Sequence, residues 1–485
     1  MKKTVYMMLL AGVLLMPHAM AETRLDAAPP EVAAALRAAK VPAFALSLAV
    51  VPLASPQDGL YFNAESPANP ASVMKLVTTQ VALEKLGPAY QWTTELYGDG
   101  PIADGVLRGN LYIRGAGDPK LTFERLWVLL RDLRAAGVNR ITGDLVLDRS
   151  ALRLPPPNEF DDDEHDLARA FLVTPDAVLA GFKAQRFRVT ANQGKTRVTV
   201  EPPLSEVRVD SNVRVAPGAT CAIGNLRFDG GDGQGGPTRV RISGALPEGC
   251  AVERYLSYLD APTYTAGLIR TLWRELGGEI GGATREGPVP SGATRLAANA
   301  SPDLVSAIRD INKFSNNLMA RQLFLTLGAA YRQPGDANDA VSAARAVGAW
   351  LADNALAWPE LSLENGSGLS RRERISARHL AQLLVRAEQG PYSAEFISSL
   401  PIVAVDGTMK KRLNGSGVAG AAHVKTGTLK DVRAVAGYVQ AQDGQRYAVV
   451  GLINHAAAPA AGPALDALLA WVGDGGWGKL ARGAK

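Results

Sequence analysis

The chain has 485 residues, of which 47% are hydrophobic and 20% charged. That balance excludes a disordered chain and suits a globular protein of two or three domains. A formal charge of +5 is too weak for an electrostatic footprint on nucleic acid, which is therefore not an expected partner.

Residues 1–21 read as a signal peptide. Lys2 and Lys3 precede an apolar run over 5–16 that is short for a bilayer span, and Ala19-Met20-Ala21 is a small-residue cleavage site. Cleavage there removes two lysines and no acid, leaving a formal charge of +3 (5 − 2). No later stretch is long and apolar enough for a membrane helix, so membrane contact is at most peripheral and a periplasmic location is expected. Export also permits a disulfide between the two cysteines, Cys221 and Cys250, closing a loop of about thirty residues. The alternative is a pair of free buried thiols. Two cysteines alone cannot build a structural zinc site.

Along the chain, residues 43–51 read as a buried strand. Asn69 is a good N-cap and Pro70 suits the first helical position. Val73, Leu76 and Val77 then repeat at helical spacing until Gly87 and Pro88 stop the helix. This places Ser72 in the first turn of a helix. From 94 to 259 the texture changes to short strand-like runs (107–114, 143–148, 187–189, 197–200) separated by Gly, Pro and Asp. One or two mostly β domains are expected there, with an acidic loop at 161–166 whose simplest reading is a solvated charge run. Helices return near 260, and 302–311 and 316–326 form two of them around a tight corner at Lys313-Phe314-Ser315. Strands are expected over 423–429, 432–441 and 447–454. Asp443-Gly444 is the turn between the last two, and a closing helix covers 463–472.

Three short motifs occur once each, in order: Ser72-Val-Met-Lys75, Ser315-Asn-Asn317 and Lys425-Thr426-Gly427. Their chemistry fits together. A serine hydroxyl is a poor nucleophile until a base takes its proton. Residues three apart on a helix share a face, so Lys75 reaches Ser72. Burial and the positive charge of Lys425 lower the basicity of Lys75 toward a useful range. Ser315 can relay a proton to a leaving amine, and Asn317 can hold a substrate carbonyl. The strand bearing Lys425, Thr426, Gly427 and Thr428 can offer its edge to an extended peptide, with Gly427 giving close approach. The N–H groups of Ser72 and Thr428 can form an oxyanion hole. Taken singly, Lys75 reads as a solvated helix lysine, Asn317 as a helix-start residue and Thr426 as a β-former. The ordered set makes three such coincidences an inferior account.

This set resembles that of the penicillin-binding proteins and serine β-lactamases. Further stretches sharpen the match: Gly109-Asn-Leu-Tyr-Ile-Arg-Gly-Ala-Gly-Asp-Pro119, Ile311-Asn-Lys-Phe-Ser-Asn-Asn-Leu-Met319, Gly366-Ser-Gly-Leu-Ser-Arg371 and Asp406-Gly-Thr-Met409. Together they are similar to the low-molecular-mass class C penicillin-binding proteins, the S13 D-alanyl-D-alanine carboxypeptidases and endopeptidases. The resemblance covers essentially the whole mature chain. It implies a multidomain α+β protein with a discontinuous, serine β-lactamase-like α/β/α penicillin-binding domain around a five-stranded antiparallel sheet. That domain would comprise 22–93 and 260–485, with the β-rich insertion at 94–259 between them. It further implies that Ser72 is the acylated nucleophile and Lys75 its base, completed by Ser315, Asn317 and Lys425. Thr426 and Thr428 would bind the terminal carboxylate and the acyl carbonyl. Arg371 would meet a charged group of the peptide stem, against the plainer reading of a solvated arginine beside Arg372 and Arg374. Lys430 stands where some relatives carry a neutral polar residue.

Other patterns are decoys. Gly231-Asp-Gly233-Gln-Gly-Gly236 fits a dinucleotide fingerprint, but Pro237 and a strand-like run follow it instead of a helix. No G-x-S-x-G elbow is present, and the histidines lack metal spacing. The expected activity is two-step acyl transfer on D-alanyl-D-alanine peptides of peptidoglycan. β-Lactam antibiotics are the second expected partner, and neither metal nor cofactor is required. A β-lactamase with fast deacylation and a non-enzymatic peptidoglycan-binding scaffold are the rival readings. The long insertion speaks against the first, and the intact Ser72/Lys75 pair against the second.

Overall fold

A computed structural model describes residues 22–156, 172–218, 220–231 and 236–478. The expected signal peptide at 1–21, the acidic loop at 161–166 and most of the Gly231–Gly236 stretch lie outside the described residues.

The main domain is built on one sheet in the order Thr23–Arg24, Leu60–Phe62, Leu46–Pro52, Arg446–Asn454, Val432–Gln440, Ala422–Leu429. The last five strands are mutually antiparallel, and the two-residue Thr23–Arg24 strand adds a parallel edge. Leu46–Pro52 is buried at every position, which explains its unbroken apolar run: a strand covered on both faces shows no alternation. One face is covered by the helices Pro30–Ala38 and Gly462–Gly473, which contribute Val32, Leu36, Leu465 and Leu468 to a common core. The other face carries the helices Lys75–Leu86, Leu304–Phe314, Asn317–Ala330 and Ala377–Gln389, packed through Leu76, Ile308, Leu323 and Leu380. Chain segments from both ends of the sequence meet here, which fits the expected discontinuous α/β/α domain.

The insertion divides into two modules. In the first, Thr93–Gly98 pairs antiparallel with Thr294–Ala300. These strands belong to a five-stranded mixed sheet ordered Thr284–Glu286, Leu145–Asp148, Leu111–Arg114, Thr93–Gly98, Thr294–Ala300. Helices Phe123–Ala135 and Ala261–Glu275 bury Leu126, Leu130, Leu268 and Leu272 against it. The insertion therefore runs to Ala300, and the expected return to the main domain at 260 is corrected. The helix after 260 is amphipathic, and its periodicity does not reveal which sheet it covers. This module is α/β instead of mostly β.

The second module is mostly β. Two three-stranded sheets, Lys195–Glu201/Gln185–Asn192/Ala251–Leu256 and Val207–Val215/Thr238–Leu246/Leu226–Gly231, enclose Phe187, Val189, Val240 and Ile242. Cys221 and Cys250 are bridged, with an S–S distance of 2.08 Å.

Candidate active site

The turn that carries Ser72 is fixed before its helix begins. Asn69 Oδ1 accepts from the Ala71 N–H at 2.8 Å, and Ala71 takes the left-handed conformation with φ 47°. A non-glycine residue held there stores backbone strain of about 1–3 kcal/mol. Surrounding contacts hold it in place: Asn69 Nδ2 donates to the Ser370 carbonyl at 2.9 Å, and Asn454 bonds the Asn69 backbone. Residues Ala71–Met74 then form a short 3-10 turn that feeds the Lys75–Leu86 α-helix. Ser72 is thus on a 3-10 entry turn ahead of the α-helix, and not in the first α-helical turn expected from sequence.

Lys75 is fully buried. Its Nζ lies 2.8 Å from Ser72 Oγ and 2.7 Å from Asn317 Oδ1, and also contacts the Ser367 carbonyl. Burial holds its basicity well below the usual lysine range; the nearby Lys425 and Arg321 push the same way, and Glu373 opposes them. A neutral amine has two N–H donors and one lone pair. Asn317 Oδ1 and the Ser367 carbonyl can only accept, so they take the two donors. The lone pair is then left for the Ser72 O–H, which is the arrangement a general base needs.

Ser315 ends the Leu304–Phe314 helix in the left-handed conformation, with φ 56°. Asn316 Oδ1 accepts from the Met319 N–H at 3.0 Å and starts the next helix, so Asn317 is its first residue. This helix break brings both Ser315 and Asn317 to the cleft. Lys425 Nζ donates to Ser315 Oγ at 2.8 Å and to the Thr426 carbonyl at 2.9 Å. Burial lowers Lys425 to about 7. The five residues Ser72, Lys75, Ser315, Asn317 and Lys425, drawn from three parts of the chain, form one polar cluster.

The Ala422–Leu429 strand is the edge of the sheet. Its Val424 N–H donates outward to the Pro401 carbonyl at 2.8 Å. Alternation turns the N–H groups of Thr426 and Thr428 to the same outer side. Thr426 Oγ1 bonds Thr408 Oγ1 at 3.0 Å, and Thr428 is exposed. Gly427 has a different role from the one expected. A Cβ there would lie 2.5 Å from the Pro70 carbonyl and 3.1 Å from Ala71 Cβ. The glycine lets the strand lie on the Ser72 turn, and the space beside it is filled by protein.

Residues 30–472 match the D-Ala-D-Ala carboxypeptidase 3 (S13) family. The chain belongs to that family. It is 30% identical over 399 residues to a D-alanyl-D-alanine carboxypeptidase of Actinomadura sp. (strain R39), covering 78% of this chain and 71% of that one. It is 27% identical over 402 residues to the D-alanyl-D-alanine carboxypeptidase DacB of Haemophilus influenzae, covering 79% and 80%. The crystal structure of penicillin binding protein 4 (dacB) from Haemophilus influenzae superposes with a TM-score of 0.74 at 25% identity, over 87% of this chain and 93% of that chain.

In this S13 family member, Arg371 stands outside the polar cluster. Its Nη1 donates to Asp431 Oδ1 at 2.9 Å, in the turn that follows the Lys425 strand. Three participants escaped the sequence reading. Asn454 ends an apolar strand and looks like a strand terminus. Ser367 contributes only a carbonyl. Glu373 sits among Arg371, Arg372 and Arg374 and reads as part of a solvated run, although it is fully buried. Among the described residues, no helix is long and apolar enough to cross a membrane.

Proposed function

We propose that Ser72 carries the acyl group of D-alanyl-D-alanine peptides of peptidoglycan, with Lys75 as its base, and that the enzyme reaches the periplasm through its signal peptide. Family membership supplies the reaction class, a serine carboxypeptidase/endopeptidase. The observation that carries the residue assignment is the hydrogen-bond geometry at Lys75, which leaves its lone pair to Ser72. Ser72 Oγ passes its proton to Lys75 Nζ and bonds to the penultimate D-alanine carbonyl carbon. The N–H groups of Ser72 and Thr428 take the developing oxyanion. The C–N bond breaks as the amine accepts a proton relayed through Ser315. Water then adds to the acyl carbon, and the bond to Oγ breaks. Lys425, Thr426 and Thr428 receive the terminal carboxylate, with the peptide along the strand edge. Arg371, beyond the end of that edge, meets a charged group of the stem.

A β-lactam offers the same reactive carbonyl, but its leaving amine stays tethered and obstructs the water. The complex of the Haemophilus influenzae protein with a β-lactam supports this reading. The test is intact mass after incubation with benzylpenicillin. A long-lived adduct of one penicillin, absent in Ser72→Ala, is expected. An adduct that clears within seconds while penicillin is consumed makes the protein a β-lactamase. No adduct and no turnover leaves a binding scaffold.

A further inference from the structure

We propose that Glu373 is a positioning residue for Lys75: it aims the Ser367 carbonyl at the lysine nitrogen and supplies the negative charge that faces it. The inference rests on the reading of Lys75 as the base.

Glu373 points inward from a segment whose arginines turn outward. Arg371 pairs with Asp431 and Arg372 with Glu364, whereas Glu373 is fully buried. Its Oε1 accepts from three consecutive backbone N–H groups, those of Glu364, Asn365 and Gly366, at 3.2, 3.1 and 3.0 Å. Full burial pushes the Glu373 carboxyl up; this nest of three donors and the facing Lys75 oppose that and favour the ionised form. The next two carbonyls of the same turn grip the nucleophile's helix. Gly366 O accepts from Thr78 Oγ1 at 2.7 Å, and Ser367 O accepts from Lys75 Nζ. Glu373 thereby fixes the turn that fixes Lys75.

A neutral amide could serve as such an anchor without the cost of burying a charge. Glu373 instead keeps a carboxylate whose second oxygen has no hydrogen-bond partner among the described residues. The charge has an electrostatic use. The other charged groups facing Lys75 are Lys425 on the edge strand and Arg321 on the Asn317–Ala330 helix, both cationic. With burial, these two lower the basicity of Lys75, and Glu373 alone among them raises it. A lysine that loses too much basicity is neutral but takes the serine proton poorly. Glu373 keeps the amine basic enough to act.

The experiment is the pH dependence of single-turnover acylation by benzylpenicillin in the full mature chain. Glu373→Gln keeps an oxygen for the three N–H donors and removes the charge. Its ascending limb should move to lower pH, and its plateau rate should fall roughly three- to tenfold, as expected for a weaker base. Glu373→Ala also removes the anchor and should lose about a hundredfold, because the base itself is displaced. If Glu373→Gln fails to melt cooperatively, Arg321→Gln reads the same set of charges with opposite sign, and its limb should move to higher pH. A wild-type limb that the readable variant leaves in place overturns the inference alone. A wild-type enzyme with no ascending limb overturns Lys75 as base and the inference with it.

Discussion

Asn454 closes on the backbone of Asn69 from both ends: its Oδ1 accepts from the Asn69 N–H at 2.8 Å, and its Nδ2 donates to the Asn69 carbonyl at 3.0 Å. The two residues are 385 positions apart. The pair ties the end of the Arg446–Asn454 strand to the residue before Pro70, and so holds the turn that presents Ser72. Asn454→Ala leaves a buried N–H and a buried carbonyl without partners. A loss of about 1–3 kcal/mol per unsatisfied group is expected, with acylation slowed by roughly tenfold or more as Ser72 loses its aim. Thermal melting and the benzylpenicillin acylation rate check both parts. A melt lowered without any change in rate would separate the pair from catalysis.

Gly427 sets the distance between the Lys425 strand and the Ser72 turn. Gly427→Ala drives a Cβ into the Pro70 carbonyl and against Ala71, both backbone-anchored and unable to yield cheaply. The strand must move away, which separates Lys425 from Ser315 and Thr428 from Ser72. A displacement near 1 Å costs about a hundredfold in rate, so acylation should fall by that order while the sheet core remains folded. Near wild-type acylation by Gly427→Ala would show that the strand has slack the packing does not suggest.

These relationships explain what could be read from sequence. Ser72 and Lys75 are three residues apart, and Lys425 and Thr428 lie on one strand, so local spacing encodes their geometry. The Ser315–Asn317 corner was visible because a helix must end there for both side chains to reach the same cleft. Asn454, the Ser367 carbonyl and Glu373 were hidden because their roles depend on pairings across tens to hundreds of residues. The limit of the insertion was hidden for the same reason. The Ala261–Glu275 helix has an ordinary amphipathic pattern, and only the pairing of Thr294–Ala300 with Thr93–Gly98 assigns it to the inserted module. Gly427 was found but given the wrong neighbour, since a strand pattern does not say what lies beneath it.

Lys425 makes both activity and stability depend on pH. Burial lowers it to about 7 in the folded protein, against about 10.4 for an unperturbed lysine. Between these values the unfolded chain binds the additional proton, so its contribution to stability rises as pH climbs from about 7 to about 10. In its proposed role, Lys425 binds a substrate carboxylate only in its protonated form. The kcat/KM for a peptide with a free terminal carboxylate should therefore decline above about pH 7. The same peptide amidated at its C-terminus should lack most of that decline. Identical limbs for the two peptides would remove Lys425 from carboxylate recognition.

The Cys221–Cys250 bridge should matter for the β module and leave the chemistry alone. Cys221 lies ahead of the Leu226–Gly231 strand in one three-stranded sheet, and Cys250 directly precedes Ala251–Leu256 in the other. The bridge therefore joins the two sheets across a separation of 29 residues. In the chain-entropy account, a loop of that length is stabilised by about 3–4 kcal/mol. The module has its own core around Phe187, Val240 and Ile242, distinct from the core beneath the Ser72 helix. Replacing both cysteines by serine should therefore lower an early calorimetric transition that belongs to this module. The later transition and the benzylpenicillin acylation rate should stay near their wild-type values. If acylation is lost in step with the early transition, the β module supports the catalytic domain directly, and the separation of the two cores is only apparent.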